Sequence, residues 1–162
     1  MATLKILTIP DVSLKSLSLS VEDNIDREFI RDLIECATAN DLVGLASNQV
    51  GIMQRIFVVD MNAVDHTTEE KIEKNFQVFI NPVIVWHSPE REYNFEGCAS
   101  IPNIIGKVSR FISIRLSWLD IDGQKHEENF VDYIAGIIQH ENNHLDGLLL
   151  TDVTKMTRRI DN

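Results

Sequence analysis

A chain of 162 residues, 44% hydrophobic and 25% charged, has the length and balance of one soluble globular unit, and residues 1–162 read as a single domain. With 15 Lys plus Arg against 25 Asp plus Glu the net charge is −10, which disfavours a general phosphate-binding surface or an anionic membrane as partner; no nucleic-acid-binding signature is present. Residues Met1 to Leu7 lack the apolar core of a secretory signal, no stretch is long enough to cross a bilayer, and Cys36 and Cys98 are too few for a disulfide framework, so a reducing, cytoplasmic location is expected.

In chain order, a short strand or extended segment closes at Pro10-Asp11. From about Asn24 to Asn40 the residues Ile25, Phe29, Leu33, Ile34 and Ala37 recur at helical spacing, which predicts an N-terminal helix with Cys36 near its buried side. Arg55 to Asp60 and Gln77 to Trp86 are rich in Val, Ile and Phe and read as strands, the second carrying a bulge or edge at Pro82. Between them, Asn62 to Lys74 is charged and lacks apolar period; a solvated loop or helical turn is expected there, with no role for His66.

From Val108 to Trp118 apolar and polar residues alternate as in a half-buried strand, and Asp122-Gly123 predicts a hairpin into a return strand ending near Phe130. Val131, Ile134, Ile137, Ile138 and Leu145 then mark one face of a helix stopped by Asp146-Gly147. The class is α+β: antiparallel strands packed around a C-terminal metal-binding helix, with an N-terminal helix.

That second helix carries Gln139-His140-Glu141-Asn142-Asn143-His144, an H-E-x-x-H string. Residues four apart on a helix stand nearly above one another, so His140 and His144 can hold one cation while Glu141 flanks its open position as a base. Two histidines leave a catalytic ion one protein ligand short. Cys98, preceded by Gly97 in Glu96-Gly97-Cys98-Ala99-Ser100, is the best candidate, because glycine permits a close backbone approach and a thiolate suits a borderline divalent ion. Glu96, His87 and His126 compete for the role.

Three segments in order, Gly44-Leu45-Ala46-Ser47-Asn48-Gln49, Glu96 to Ser100 and Gln139 to His144, together resemble the peptide deformylases. The resemblance extends to Ile6 to Asp11, Asn81-Pro82 and Ser100-Ile101-Pro102, and so spans most of the chain. It implies hydrolytic removal of the formyl group from formyl-methionyl polypeptides, releasing formate. It also implies Cys98, His140 and His144 as metal ligands, Glu141 as acid-base residue, and the Gln49 amide with the Ala99 backbone N–H as oxyanion donors. Iron(II) is the ion it implies in the cell, with zinc, nickel or cobalt able to replace it, and the translating ribosome is a partner to expect. By position beside these motifs, Gly44, Glu96, Tyr133, Gly136 and Ile137 are expected to line a pocket for an unbranched apolar side chain. Glycine at 136 costs about 1 kcal/mol relative to alanine inside a helix, which suggests that space is wanted there.

The chain departs from the family pattern at Leu42 (usually glycine), Ser47 (alanine), Ala99 (leucine), Ile105 (arginine) and Asn143 (aspartate), while Arg110 matches. Ala99 keeps the backbone donor and removes apolar wall; Asn143 accepts a hydrogen bond but offers Arg110 no charge. These substitutions motivate the alternative of a deformylase-like protein that binds formyl peptides or metal with weak or no turnover. An H-E-x-x-H endopeptidase would place its third ligand downstream, where Asp146, Asp152 and Asp161 lack a ligand context.

Overall fold

The computed structural model describes residues 3–65 and 72–160. His66, Asp161 and the middle of the Asn62–Lys74 segment lie outside the described residues. One antiparallel sheet runs in the order β1 (Gly44–Ala46), β2 (Ile56–Asp60), β3 (Phe76–His87), β6 (Ser113–Leu119), β7 (Lys125–Val131). A second sheet joins β4 (Arg91–Cys98), β5 (Ile101–Phe111) and β8 (Thr154–Arg159). Helix α1 is Arg27–Ala39, α2 is Asp132–Leu145, and a single turn, α3, is Leu150–Val153. The expected α+β class, both helices and the β6–β7 hairpin are present.

The two long helices cover opposite faces of the five-stranded sheet, and β2 shows why its sequence is apolar without alternation. Phe57 and Val59 face the cluster that holds Ile137, Ile138 and Leu145 of α2, while Ile56 and Val58 face Ile30, Leu33 and Ala37 of α1. Period-2 geometry sends alternate side chains to the two helices, so every position is buried. Each such aliphatic side chain contributes about 1.5–3 kcal/mol by leaving water.

Helix α1 starts where Asp26 accepts a hydrogen bond from the Phe29 N–H at 3.0 Å. Helix α2 ends at Asp146, followed by Gly147 at φ +72°; a Cβ there would lie 2.6 Å from the Lys15 carbonyl oxygen, so only glycine fits the turn. Val131 differs from expectation: it precedes α2 and is exposed, while Ala135 and His144 take up the buried face.

The expected single strand from Val108 to Trp118 is two strands in different sheets, separated at Ile112. Ile112 spends its backbone on Glu90 and Asp132, which turns the chain from one sheet to the other. Residue parity survives the break: Val108 and Arg110 on β5, then Ile114, Leu116 and Trp118 on β6, are all buried. The bulge expected at Pro82 is a register shift between Ile80 and Val83, stabilised by Asn81, whose side chain bonds both the N–H and the carbonyl of Val21 at 2.8 Å.

Candidate active site

The H-E-x-x-H helix presents His140, Glu141 and His144 to the gap between the two sheets. Cys98 ends β4 at the turn into β5 and reaches the same point from the other side. Cys98 Sγ lies 3.4 Å from His144 Nε2, and the Nε2 atoms of His144 and His140 are 3.3 Å apart. Bonds of about 2.0–2.1 Å to nitrogen and 2.3 Å to sulfur at tetrahedral angles set donor atoms about 3.3–3.6 Å apart, so the three donors fit one divalent ion. Among the described residues they form the one Cys/His/carboxylate group with that convergence, all three ligand atoms lying within 4.8 Å of one another. His87 instead stacks on Phe111, and His126 pairs with Asp120.

Glu96, a competitor for the third ligand and an expected pocket residue, lines the cleft but stands outside the converging group, behind His140. Its Oε1 meets His140 Nδ1 at 2.8 Å, which leaves Nε2 of that ring pointing at the ion site. Arg110, only 5% exposed, donates to both Glu96 oxygens, at 2.9 and 2.8 Å, and donates a third bond to Asn143 Oδ1. Asn143 thus serves Arg110 as an acceptor without adding charge. Burial works against the Glu96 carboxylate, but the bonds from Arg110 and His140 outweigh it and hold its pKa down at about 2.

Charge in this gap favours a cation. Burial lowers the proton affinity of His140, yet its bonds to Cys98 and Glu96 and the charge of Glu141 push its pKa up to about 10. His144 moves the other way, well below the ordinary range, through burial and the neighbouring His140. Glu141 is raised to about 7, chiefly by burial. Its Oε2 is buried with no hydrogen-bond partner among the described residues, the condition of a carboxylate that awaits a solvent or substrate proton.

Gly44 and Gln49 come from the edge of the other sheet. Gly44 on β1 lies against the Glu141 carboxylate. Gln49 Oε1 accepts the Ala46 N–H at 2.9 Å, so its amide NH₂ faces the cleft, 3.0 Å from Ser100 Oγ and 3.8 Å from Cys98 Sγ. Ser47, a departure from the family pattern, is fully buried and donates to the Gln54 carbonyl, which closes the loop around Gln49. The N-terminal segment ties both motifs together, Leu7 N–H bonding the Gln49 carbonyl at 2.7 Å and Ile9 N–H the Ser100 carbonyl at 3.0 Å.

A cavity of about 590 Å³ opens beside these groups, bounded by the free edges of β1 and β4. All five expected pocket residues, Gly44, Glu96, Tyr133, Gly136 and Ile137, line it together with Gln49, Cys98, Ala99, His140 and Glu141. Leu42 and Ile105, two of the departures, line it too. Burial and the charges of Asp65 and Glu96 push the Tyr133 hydroxyl pKa up.

Three contributors were not anticipated. Ser100, fully buried, orients the Gln49 amide; Phe95 forms part of the mouth; and Lys74 lines the wall. Lys74 donates to the Leu42 carbonyl at 3.0 Å and pairs with Asp41 at 3.2 Å, so the last residues of the charged segment are structural where a solvated loop was expected. The signal for Lys74 was absent from the sequence, because the Leu42 carbonyl and Asp41 that hold it to the cavity wall are 32 and 33 residues away.

The family model described as Polypeptide deformylase matches residues 3–159. A peptide deformylase of Pseudothermotoga lettingae is 37% identical over 96% of this chain and 85% of its own length. The crystal structure of peptide deformylase from Thermotoga maritima superposes with a TM-score of 0.86 at 31% identity, covering 96% of this chain and 100% of that one. A probable peptide deformylase from Synechococcus phage S-SSM7 gives 0.83 at 36% identity, covering 93% and 99%.

Proposed function

The chain belongs to the polypeptide deformylase family, and on that premise we propose how its own residues divide the work of removing an N-terminal formyl group. The function is that of a metal-dependent hydrolase: water cleaves the formyl amide, leaving formate and a free amine. We read residues 1–162 as one catalytic domain. A divalent ion held by Cys98, His140 and His144 would supply the Lewis acidity that makes hydroxide available near neutral pH. We assign iron(II) as the ion used in the cell; zinc, nickel and cobalt suit the same donor set.

Glu141 accepts the proton of the attacking water and later delivers a proton to the departing nitrogen. A carboxyl poised near pH 7 can do both. The Gln49 NH₂, aimed at the cleft by Ala46 and Ser100, and the Ala99 N–H donate to the oxygen that gathers charge. Glu96 and Arg110 are positioning residues that fix the His140 ring. Gly44, Tyr133, Gly136 and Ile137 bound the space for the methionine side chain, and the free edges of β1 and β4 offer backbone groups to an extended peptide.

The observation that carries this reading is the convergence of three ligand atoms beside a buried carboxylate, one of whose oxygens has no hydrogen-bond partner among the described residues. The alternative of a non-catalytic binder was motivated by the substitutions, but Asn143 still accepts from Arg110 and Ser47 is satisfied. We place the reaction on formyl-methionyl chains at the translating ribosome, in the cytoplasm; no helix among the described residues is long and apolar enough to cross a membrane. The test is formate release from formyl-Met-Ala-Ser after anaerobic loading with iron(II). Release by the unaltered protein and loss in Cys98→Ala and Glu141→Gln is the expected result; no release with one ion bound per chain would overturn the reading.

A further inference from the structure

The outer face of the three-stranded sheet is aromatic and basic on a chain whose net charge is −10. Strand parity places Tyr93 and Phe95 of β4 outward, and register sets Lys107 of β5 between Phe95 and Met156 of β8. Tyr93 is 59% exposed, Phe95 73% and Met156 63%, a concentration of large apolar surface that an isolated sheet face does not need for folding. Arg91, Lys107 and Arg158 stand among them; the Lys107 ammonium lies 4.8 Å from the Tyr93 ring centre. The carboxylates of β4 point the other way, Glu96 inward to Arg110 and Glu92 on the same parity. Among the described residues, no outward position of the three strands carries an acid.

This face is continuous with the catalytic cleft. Phe95 belongs to both, and Ile105, which lines the cavity, is opposite Arg158 in the ladder. Phe95 is three residues from Cys98, or about 10 Å at the rise of a strand, and Lys107 and Met156 lie about 5 and 10 Å farther across the sheet. An extended peptide with its first residue at Cys98 reaches these side chains with roughly its fourth to seventh residues.

We propose that this face is an exosite for the substrate's own continuation, favouring polypeptides with acidic side chains several residues beyond the formylated methionine. The proposal rests on the deformylase reading and adds a selectivity to it. Carboxylates would meet Lys107 and Arg158 while the apolar parts of the peptide cover Phe95 and Met156.

The test compares formyl-Met-Ala-Ser with the same peptide extended by about four residues of Asp, Ser or Lys. Unaltered protein is expected to turn over the Asp extension with a KM about three- to tenfold lower than the Lys extension at equal kcat, and about 0.5 M salt should erase the difference. The Lys107→Glu/Arg158→Glu variant should invert the preference and leave turnover of the short peptide unchanged. Equal KM for all three extensions, or an unaltered preference in the variant, would overturn the exosite while leaving the deformylase reading intact. Fluorescence anisotropy of labelled Met-Ala-Ser-Asp-Asp-Asp-Asp reads the face without turnover, so it stands or falls even where formate release fails. Tighter binding of a single-stranded oligonucleotide than of this peptide would also overturn the proposal and assign the face to nucleic acid.

Discussion

A Cβ at Gly44 would lie 2.7 Å from Oε1 of Glu141 and 3.0 Å from its Cδ and Cγ. Real Cβ atoms do not approach that closely, so the absence of a side chain on β1 is a condition for the Glu141 carboxylate to stand where it does.

Gly44→Ala should therefore push the carboxylate aside. A displacement on the order of 1 Å costs about 10²-fold in kcat, and the overpacking costs about 1–3 kcal/mol of stability. Combined with Glu141→Gln, the Gly44 change should cost little further rate, because both act on one group. Steady-state kinetics of the two single variants and the double variant check this, and full additivity would mean that Gly44 acts elsewhere.

Glu141→Gln should lower kcat by about 10²–10⁴-fold and yet stabilise the metal-free protein at alkaline pH. Folding lifts this carboxyl from an ordinary 4.5 to about 7, so the group opposes folding wherever the unfolded chain is ionised. Below about pH 4.5 both states are protonated and the cost is absent. It grows between 4.5 and 7 and is complete above 7, on the order of 3 kcal/mol. Thermal melts in chelator at pH 4 and pH 8 should show a gain for the variant at the higher pH alone.

Glu96 has the opposite sign. Its folded pKa of about 2 against 4.5 unfolded means that its contribution is fully present above about pH 4.5 and is lost as pH falls toward 2. Acid titration of stability should be steeper in the unaltered protein than in Glu96→Gln over that window, by about 3 kcal/mol in all. At neutral pH the variant should be the weaker fold, since the buried Arg110 loses its counter-charge. Affinity for metal should fall about 10–100-fold as His140 loses its partner, measured by competition with a chromogenic chelator.

Gln49→Ala should leave metal stoichiometry at one ion per chain and reduce kcat by about 10²–10³-fold, the loss of one oxyanion donor. A rise in KM at constant kcat would instead make Gln49 a ground-state binding residue.

The metal helix was legible because its signal is local: H-E-x-x-H has meaning at a period of 3.6 residues, and the apolar positions Ile134, Ile137, Ile138 and Leu145 that orient it fall within the same 14-residue element. The same holds for α1, for the Asp122-Gly123 hairpin and for the bulge at Pro82. The strand boundary at Ile112 was not legible, since alternation continues through it unchanged; only the separate hydrogen bonding of β5 and β6 reveals two sheets. Lys74 looked solvated because its charge says nothing about a carbonyl 32 residues earlier.

What the sequence by itself determined is the set of side chains available to the proposed chemistry: a cysteine, two histidines, a carboxylate and an amide, in the order that places the chain in its family. What the tertiary structure decided is how those groups are tuned and approached. Glu96 serves His140 and Arg110 across separations of 44 and 14 residues, Gly44 makes room for Glu141 from another sheet, and Lys107 meets Phe95 and Met156 only through strand register. Local sequence encodes the periodicity of an element and the identity of its side chains, whereas pKa values, ring orientation and surface continuity depend on groups distant in the chain and close in space.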